Sequence, residues 1–367
     1  MNPKRLLIYR FGQLGDTVAA LPSLWLLRQQ YPDIEFTLLS EVPQKENHLG
    51  PEHVLPSALI QTFIKYRGGS KLASILSQLK TLLKLRWQGY DTLVYLVPSI
   101  RTPRQRQRDA WFFRLVGIRQ KWGLKGFPDE PYPRDPEARL KPVIAEADAL
   151  LQRLAQDGLP EISPGGGSMD LAISASENKR VADWWQRQDG PAKAPRGWFA
   201  LCCGSKWSSK QWPEQRYREV GRRLIDEHGL LPLIFGGPED RQLGERLIAD
   251  WGCGLCAAGE LQVRESAALL QQARFYLGND TGVMHMAAAV GRPCVGVFAA
   301  IDWPGRWHPY GKGHEVLRVE VPCGGCFQAT CPLNNECLTE ISVEEVYQAC
   351  CRVIQRLEAE PEQANFG

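Results

Sequence analysis

Short, unbroken apolar runs recur through this 367-residue chain, each ending in a turn and followed by a helical pattern. That rhythm leaves few folds open. Leu6-Leu7-Ile8-Tyr9 is the first run. With no polar alternation it reads as a strand buried on both faces, the mark of a parallel sheet covered by helices. It leads through Arg10-Phe11-Gly12-Gln13-Leu14-Gly15-Asp16 into a helix expected over 17–30, with apolar Val18, Leu21, Leu24, Trp25 and Leu27 and an early, tolerable Pro22. A second strand is expected over 34–39, which completes a βαβ opening. Its turn reads G-x-x-G-D rather than G-x-G-x-x-G, so the dinucleotide fingerprint is absent and an NAD dehydrogenase is disfavoured.

Residues 41–70 look irregular. An amphipathic helix carrying Lys80, Lys84 and Arg86 is expected over 72–86, and a buried strand over 92–97. Pro160-Glu161-Ile162-Ser163-Pro164-Gly165-Gly166-Gly167 reads as a hinge, and 189–197 as a second loop. Then the rhythm restarts. Strands are expected over 198–203, 230–235, 273–277 and 293–299, and helices over 213–228 and 241–251. Consecutive strand–loop–helix units make a doubly wound parallel sheet, whose ligands bind at the carboxyl ends of the strands.

Three glycine-bearing loops lie at that edge: 204–212, Gly236-Gly237-Pro238-Glu239, and Gly278-Asn279-Asp280-Thr281-Gly282-Val283-Met284-His285. In the last, Gly278 and Gly282 let backbone approach a ligand closely. Thr281 and Gly282 open a helix whose first N–H groups lack internal partners and carry partial positive charge, a natural phosphate site. Asp280 and His285 add a carboxylate and an imidazole. The plainer alternative is that Asp280 or Thr281 is an N-cap and His285 a satisfied half-buried histidine. The convergence of three loops favours a nucleotide site.

Size makes two domains the default. With 44% hydrophobic and 23% charged residues and a net charge of +3, the composition is that of a globular chain. Lys4 and Arg5 precede only a short apolar stretch before Arg10, so no export signal is expected. The eleven cysteines then read as reduced thiols in the cytosol. Between residues 99 and 127, Arg101, Arg104, Arg106, Arg108, Arg114, Arg119, Lys121 and Lys125 stand against Asp109 alone, a net +7, with Trp111, Phe112, Phe113 and Trp122 interleaved. A solvated basic face is the ordinary meaning. An anionic substrate or an acidic membrane surface, with Trp111, Phe112 and Phe113 inserting, are the sharper ones. Nucleic acid is disfavoured because no nucleic-acid motif accompanies the run. Cys323-x2-Cys326-x4-Cys331-x5-Cys337 has one C-x2-C pair where structural zinc usually has two, so packed thiols are expected over a metal. Cys202, Cys203, Cys350 and Cys351 read as core.

Taken together, Gly12-x-x-Gly15-Asp16, Lys206-Trp207-x-x-Lys210-x-Trp212-Pro213, Gly278-Asn279-Asp280-Thr281-Gly282-x-x-His285 and the cysteines near Cys323 resemble the motifs of glycosyltransferase family 9, the lipopolysaccharide heptosyltransferases, in the family's order. The loop 204–209 departs from the family in lacking its proline. The resemblance implies a GT-B fold: two Rossmann-like doubly wound domains facing across a cleft. It places an acceptor domain at 1–165, a nucleotide-sugar domain at 166–341, and a last helix, 342–357 within the closing 342–367 stretch, packed back on the first domain. It implies transfer of a sugar, a heptose from ADP-heptose, to a lipopolysaccharide core or related anionic glycolipid, with inversion, in the cytoplasm or at the inner face of the inner membrane. Asp16 would be the base and Lys210 would neutralise the donor pyrophosphate. Ser205, Glu239, Asp280, Thr281, Gly282 and His285 would complete the donor site, while Gly12, Arg101 and Arg104 are candidates for acceptor contact. No cofactor or catalytic metal is implied. A GT-B nucleotide-sugar epimerase and a non-catalytic nucleotide-binding protein are the alternatives.

Overall fold

The computed structural model describes residues 3–42, 49–69, 72–188 and 196–359. Most of the expected loop at 189–197, and part of the irregular stretch 41–70, lie outside the described residues. The chain divides into two units, Met1–Tyr132 with Ile144–Ala172, and Pro133–Val143 with Ile173–Gly367. The division therefore falls seven residues beyond the expected 165/166 boundary, and Pro133–Val143, expected in the first domain, belongs to the second.

The first unit contains β1 (Leu6–Tyr9), α1 (Leu14–Val18), α2 (Leu21–Gln30), β2 (Phe36–Glu41), β3 (Thr62–Tyr66), α3 (Leu72–Gln88), β4 (Thr92–Tyr95), α4 (Pro103–Val116), β5 (Gln120–Trp122) and α5 (Glu146–Ala155). Its sheet runs β3-β2-β1-β4-β5, all parallel. The order reverses direction between β1 and β4. The helix expected over 17–30 is two helices. Pro22, in the first turn of α2, has no N–H and its ring would clash with a carbonyl of a continuous helix, so α1 stops at Val18. Phe113 is 1% exposed and sits edge-on to Tyr9 in the core. Phe112 stacks edge-on against Phe113 and is half-buried. Of the three aromatics considered for membrane insertion, only Trp111 is exposed.

The second unit contains α6 (Ala175–Arg187), β6 (Trp198–Cys202), α7 (Glu214–His228), β7 (Leu231–Ile234), α8 (Arg241–Trp251), β8 (Leu255–Cys256), α9 (Val263–Leu270), β9 (Tyr276–Asn279), α10 (Gly282–Ala289), β10 (Cys294–Phe298), β11 (Glu315–Arg318), α11 (Glu336–Thr339) and α12 (Val343–Ala359). Its sheet, β11-β10-β9-β6-β7-β8, is again all parallel, with the reversal between β6 and β9. Helix α12, expected against the first domain, packs against α7, β10 and β11. Its Val346, Tyr347, Cys350, Val353 and Ile354, spaced along one helical face, join the second unit's core. Cys202, Cys203 and Cys350 are buried as expected, while Cys351 is only half-buried against that core.

β6 and β9 pair in the register Cys202↔Gly278, next to the switch of strand order. A side chain at Gly278 would lie 2.4 Å from the Cys202 carbonyl oxygen and 2.5 Å from the Tyr276 hydroxyl. That explains a glycine inside a strand. Gly278→Ala is expected to cost about 1–3 kcal/mol, the usual scale of overpacking, read as a lower urea midpoint with unchanged slope. An unaltered midpoint would show that the two strands can part freely there.

Candidate active site

In the second unit the loops after β6 and β9 flank the switch point, where doubly wound sheets bind ligands. Asn279, fully buried at the end of β9, joins them. Its amide nitrogen donates to the Cys203 carbonyl at 2.6 Å, and its Oδ1 accepts from Trp212 N at 3.1 Å and the Tyr217 hydroxyl at 2.8 Å. Trp212, itself buried, donates through Nε1 to the Ile341 carbonyl at 3.1 Å. Between these anchors Ser208–Lys210 forms one 3-10 turn. The cysteine-rich loop fastens it: Ser209 Oγ donates to Gln328 O at 2.5 Å, Ser209 N to Ala329 O at 3.2 Å, and Asn335 Nδ2 to Ser208 O at 3.0 Å. Among the described residues no three His, Cys, Asp or Glu side chains are arranged to hold a metal.

The turn aims Lys210 at the β9–α10 turn. Its Nζ lies 2.5 Å from Asp280 Oδ2 and 5.8 Å from the Trp207 ring centroid. His285 Nε2 lies 3.7 Å from Asp280 Oδ1. Lys210, from the loop after β6, thus joins Asp280 and His285 of the β9–α10 turn in one cluster. Burial pushes the Asp280 carboxyl upward, but Lys210 and His285 outweigh it and hold the group well below the usual carboxylate range. Thr281 is the N-cap residue of α10, with its hydroxyl 3.4 Å from that of Tyr276, and Gly282 is the first helical residue. Ser205 Oγ accepts from Trp207 N at 3.3 Å, and Ser205 O from Gln211 Nε2 at 2.8 Å. Glu239 is exposed in the 3-10 turn Pro238–Asp240 that follows β7.

Two acids here were not singled out from the sequence. Asp240 accepts from Gly237 N at 2.9 Å, and side chains at Gly204 or Gly236 would collide with its carboxylate. It draws together the loops after β6 and β7, and burial raises its pKa. The paired glycines closing two successive strands were its visible trace. Asp302 accepts from Trp307 Nε1 at 2.8 Å and from Arg306 at 3.3 Å, and Trp307 stands edge-on to His285 with centroids 6.3 Å apart. Nothing in the local pattern around Asp302 marks this role.

In the first unit, Asp16 lies in the turn after β1. Its Oδ2 accepts from Gln13 N at 2.8 Å, so it caps α1, and its Oδ1 is 3.8 Å from the Arg10 guanidinium. Arg10 is buried and donates to the Leu96 carbonyl at 2.7 Å and to the Asp16 carbonyl. Gly12 has φ +133°, and a side chain there would strike the Asp16 carboxylate. Arg101 is paired: its guanidinium bonds Asp109 at 2.7 and 3.1 Å, Asp109 also accepts from the Tyr95 hydroxyl at 2.7 Å, and the cation lies 4.8 Å over the Phe11 ring. Arg104 is exposed on α4. A cavity of about 540 Å³ lies beyond the carboxyl ends of β1, β2 and β3, lined by Tyr9, Phe11, Tyr66, Arg101, Gln105 and Phe112 among others.

The model of glycosyltransferase family 9 (heptosyltransferase) matches residues 108–336. Lipopolysaccharide heptosyltransferase 1 of Pseudomonas aeruginosa is 26% identical over 343 residues, 89% of this chain and 87% of that protein. The lipopolysaccharide core heptosyltransferase OpsX of Haemophilus influenzae is 25% identical, with 94% of this chain and 95% of it aligned. The solved structure of Escherichia coli ADP-heptose lps heptosyltransferase II superposes with a TM-score of 0.66 at 20% identity, covering 96% of this chain and 99% of that one.

The ion pair sets a pH dependence. The Asp280 carboxyl is depressed in the folded protein, so its stabilisation is complete above the unfolded value of about 3.9 and is lost as pH falls toward the folded one. Asp280→Asn is therefore expected to flatten the fall in Tm between about pH 5 and 3 relative to wild type. Identical acid limbs in the two proteins would show that the pair contributes nothing to stability.

Proposed function

The chain belongs to glycosyltransferase family 9, and we propose that it moves a heptose from ADP-heptose to a lipopolysaccharide core acceptor, with inversion at the anomeric carbon. The observation that carries this reading is the family match over residues 108–336, a span that holds Ser205, Lys210, Glu239 and the whole turn from Gly278 to His285. The GT-B class of fold, two parallel-sheet α/β units, accords with it. Membership of a transferase family leaves the epimerase and the non-catalytic readings without support.

Departure of the nucleoside diphosphate places negative charge on its phosphates. The Lys210 ammonium and the first N–H groups of α10 supply preorganised positive charge for it. Asp280 holds Lys210 in place until the donor enters, and a diphosphate then competes with the carboxylate for the same cation. The acceptor hydroxyl acidifies as it attacks an oxocarbenium-like centre, so a carboxylate such as Asp16 suffices to take its proton. Ser205, Glu239, Thr281, Gly282 and His285 line the donor in this scheme. Gly12 shapes the Asp16 turn, while Arg101 and Arg104 receive the acceptor. The aromatic cavity beside Arg101 suits a saccharide, whose apolar ring faces pack on Tyr9, Phe11 and Tyr66.

Among the described residues no helix is long and apolar enough to cross a membrane. We place the protein in the cytoplasm, in peripheral contact with the inner face of the inner membrane, where an anionic glycolipid acceptor is presented. The basic run from Ser99 to Phe127 draws both.

A thermal-shift panel tests the donor. ADP is expected to raise Tm more than GDP, UDP or CDP, since stabilisation follows affinity, and equal shifts would sink the adenine assignment. Lys210→Ala is expected to lower turnover by roughly 10²–10³-fold, the scale of one lost charge stabiliser, with the fold intact. Unchanged turnover would take Lys210 out of the mechanism. Replacing Arg101, Arg104, Arg106 and Arg108 with Gln is expected to raise the acceptor KM at low salt and leave the donor KM alone. Wild-type acceptor kinetics in that variant would reduce the run to a solvated surface.

A further inference from the structure

Helix α3 is amphipathic, and it is turned the wrong way round for a helix that covers a core. Its buried residues are Thr81 and Leu85. Leu72, Ile75, Leu76, Leu79, Leu83 and Trp87 are all exposed, with Leu72 at 72%, Leu83 at 65% and Trp87 at 88% of full accessibility. Spacings of three and four residues put these six on one stripe, on the side opposite Thr81 and Leu85. Helix α4 packs against α3. There Trp111 and Leu115, one turn apart, are exposed too, and Arg86 of α3 donates to the Leu115 carbonyl at 3.0 Å. A contiguous apolar face of this kind marks a surface that meets something apolar.

The surrounding charge says what. Along α3 the exposed Lys80, Lys84 and Arg86 accompany the stripe, and the helix contains no acidic residue. On α4 the exposed Arg104, Arg108 and Arg114 stand near it, and the one acid, Asp109, is buried and already paired with Arg101 and Arg108. A second copy of the chain would set this face against itself across a two-fold axis and oppose cation to cation. An anionic lipid monolayer meets both demands at once: acyl chains for the leucines, and phosphate headgroups for the lysines and arginines. A tryptophan at the end of the stripe is the usual residue at that boundary.

We infer that α3, with Trp111 and Leu115 of α4, is the surface by which this protein inserts into an anionic lipid leaflet, so that the contact is a hydrophobic insertion guided by charge rather than charge attraction alone. The inference rests on the membrane-side reading above and extends the contact from the basic run to α3, a helix outside it. It also gives the exposed leucines of α3 a role that no chemistry of the donor site explains.

The test uses the full chain and two sets of vesicles, phosphatidylcholine alone and phosphatidylcholine with phosphatidylglycerol. The variant carries Leu76→Gln, Leu79→Gln, Leu83→Gln and Trp87→Gln, all at exposed positions. Wild type is expected to bind the anionic vesicles, and the variant at least tenfold more weakly, with unchanged Tm and unchanged turnover on a water-soluble, delipidated acceptor. Lipids brominated on their acyl chains should quench part of the wild-type tryptophan fluorescence, and Trp87→Phe should remove part of that quenching. A variant that binds anionic vesicles like wild type overturns the inference and leaves an electrostatic membrane contact standing. Wild type that ignores vesicles yet turns over the soluble acceptor overturns insertion and membrane contact together, with the transferase reading intact. A wild type that sediments as a dimer, dissociated by the four substitutions and indifferent to vesicles, assigns the face to self-association and overturns it as well.

Discussion

The second unit depends on how one amide is satisfied. Asn279 has no exposed surface, so every polar atom it carries must find a partner inside the protein, and each does. One side chain thereby fixes the end of β6 through Cys203, the start of α7 through Tyr217, and the loop between them through Trp212. Those are the three places that decide where Lys210 points. A hydrophobic residue of the same size would fill the space and leave Trp212 N and the Tyr217 hydroxyl unpaired, at a cost of about 1–3 kcal/mol for each buried group. The position of the lysine is thus set one layer below the surface.

Both units keep their cations under restraint. Arg101 is held by Asp109, Lys210 by Asp280, and Arg10 lies buried between carbonyls and the Asp16 turn. In the scheme proposed above, a ligand phosphate at Lys210 exchanges one anion for another rather than meeting a bare charge. The gain is smaller than that of an unpaired lysine, but the ammonium needs no reorganisation when the ligand arrives.

Much of this was legible in the sequence. The apolar runs around Leu6–Tyr9, Trp198–Cys202 and Leu231–Ile234 have one reading, because only a strand covered on both faces tolerates them. The cluster of Lys210, Asp280 and His285 was legible as residues, and their distances follow from the strand order. What stayed hidden depends on contacts distant in sequence. Asp302 reaches the site through Trp307, and Asp240 acts by the glycines it excludes, so neither carries a local pattern. The amphipathic pattern of α3 was plain, yet a pattern gives a stripe and not the direction it faces. Phe113 sits among cations in the sequence and in the core in space, because on one helix Phe113 and Val116, three residues apart, face inward while Arg104, Arg108 and Arg114 face solvent. The apolar stripe of the last helix says that it packs, and not that α7, β10 and β11 receive it.

The division of the chain bears on its modularity. Residues 133–143 leave the first unit's sequence to join the second unit, and the chain then returns for 144–172 before leaving for good. The polypeptide thus passes between the units three times. No single cut separates them. A fragment ending at the hinge keeps 133–143 without the residues that segment bonds to, among them Pro304, whose carbonyl accepts from Val143 N at 2.9 Å. Exchanging first units between relatives therefore requires three junctions, and recombination at one point yields chains in which neither unit is whole. An architecture of two folds that look interchangeable is inherited as one.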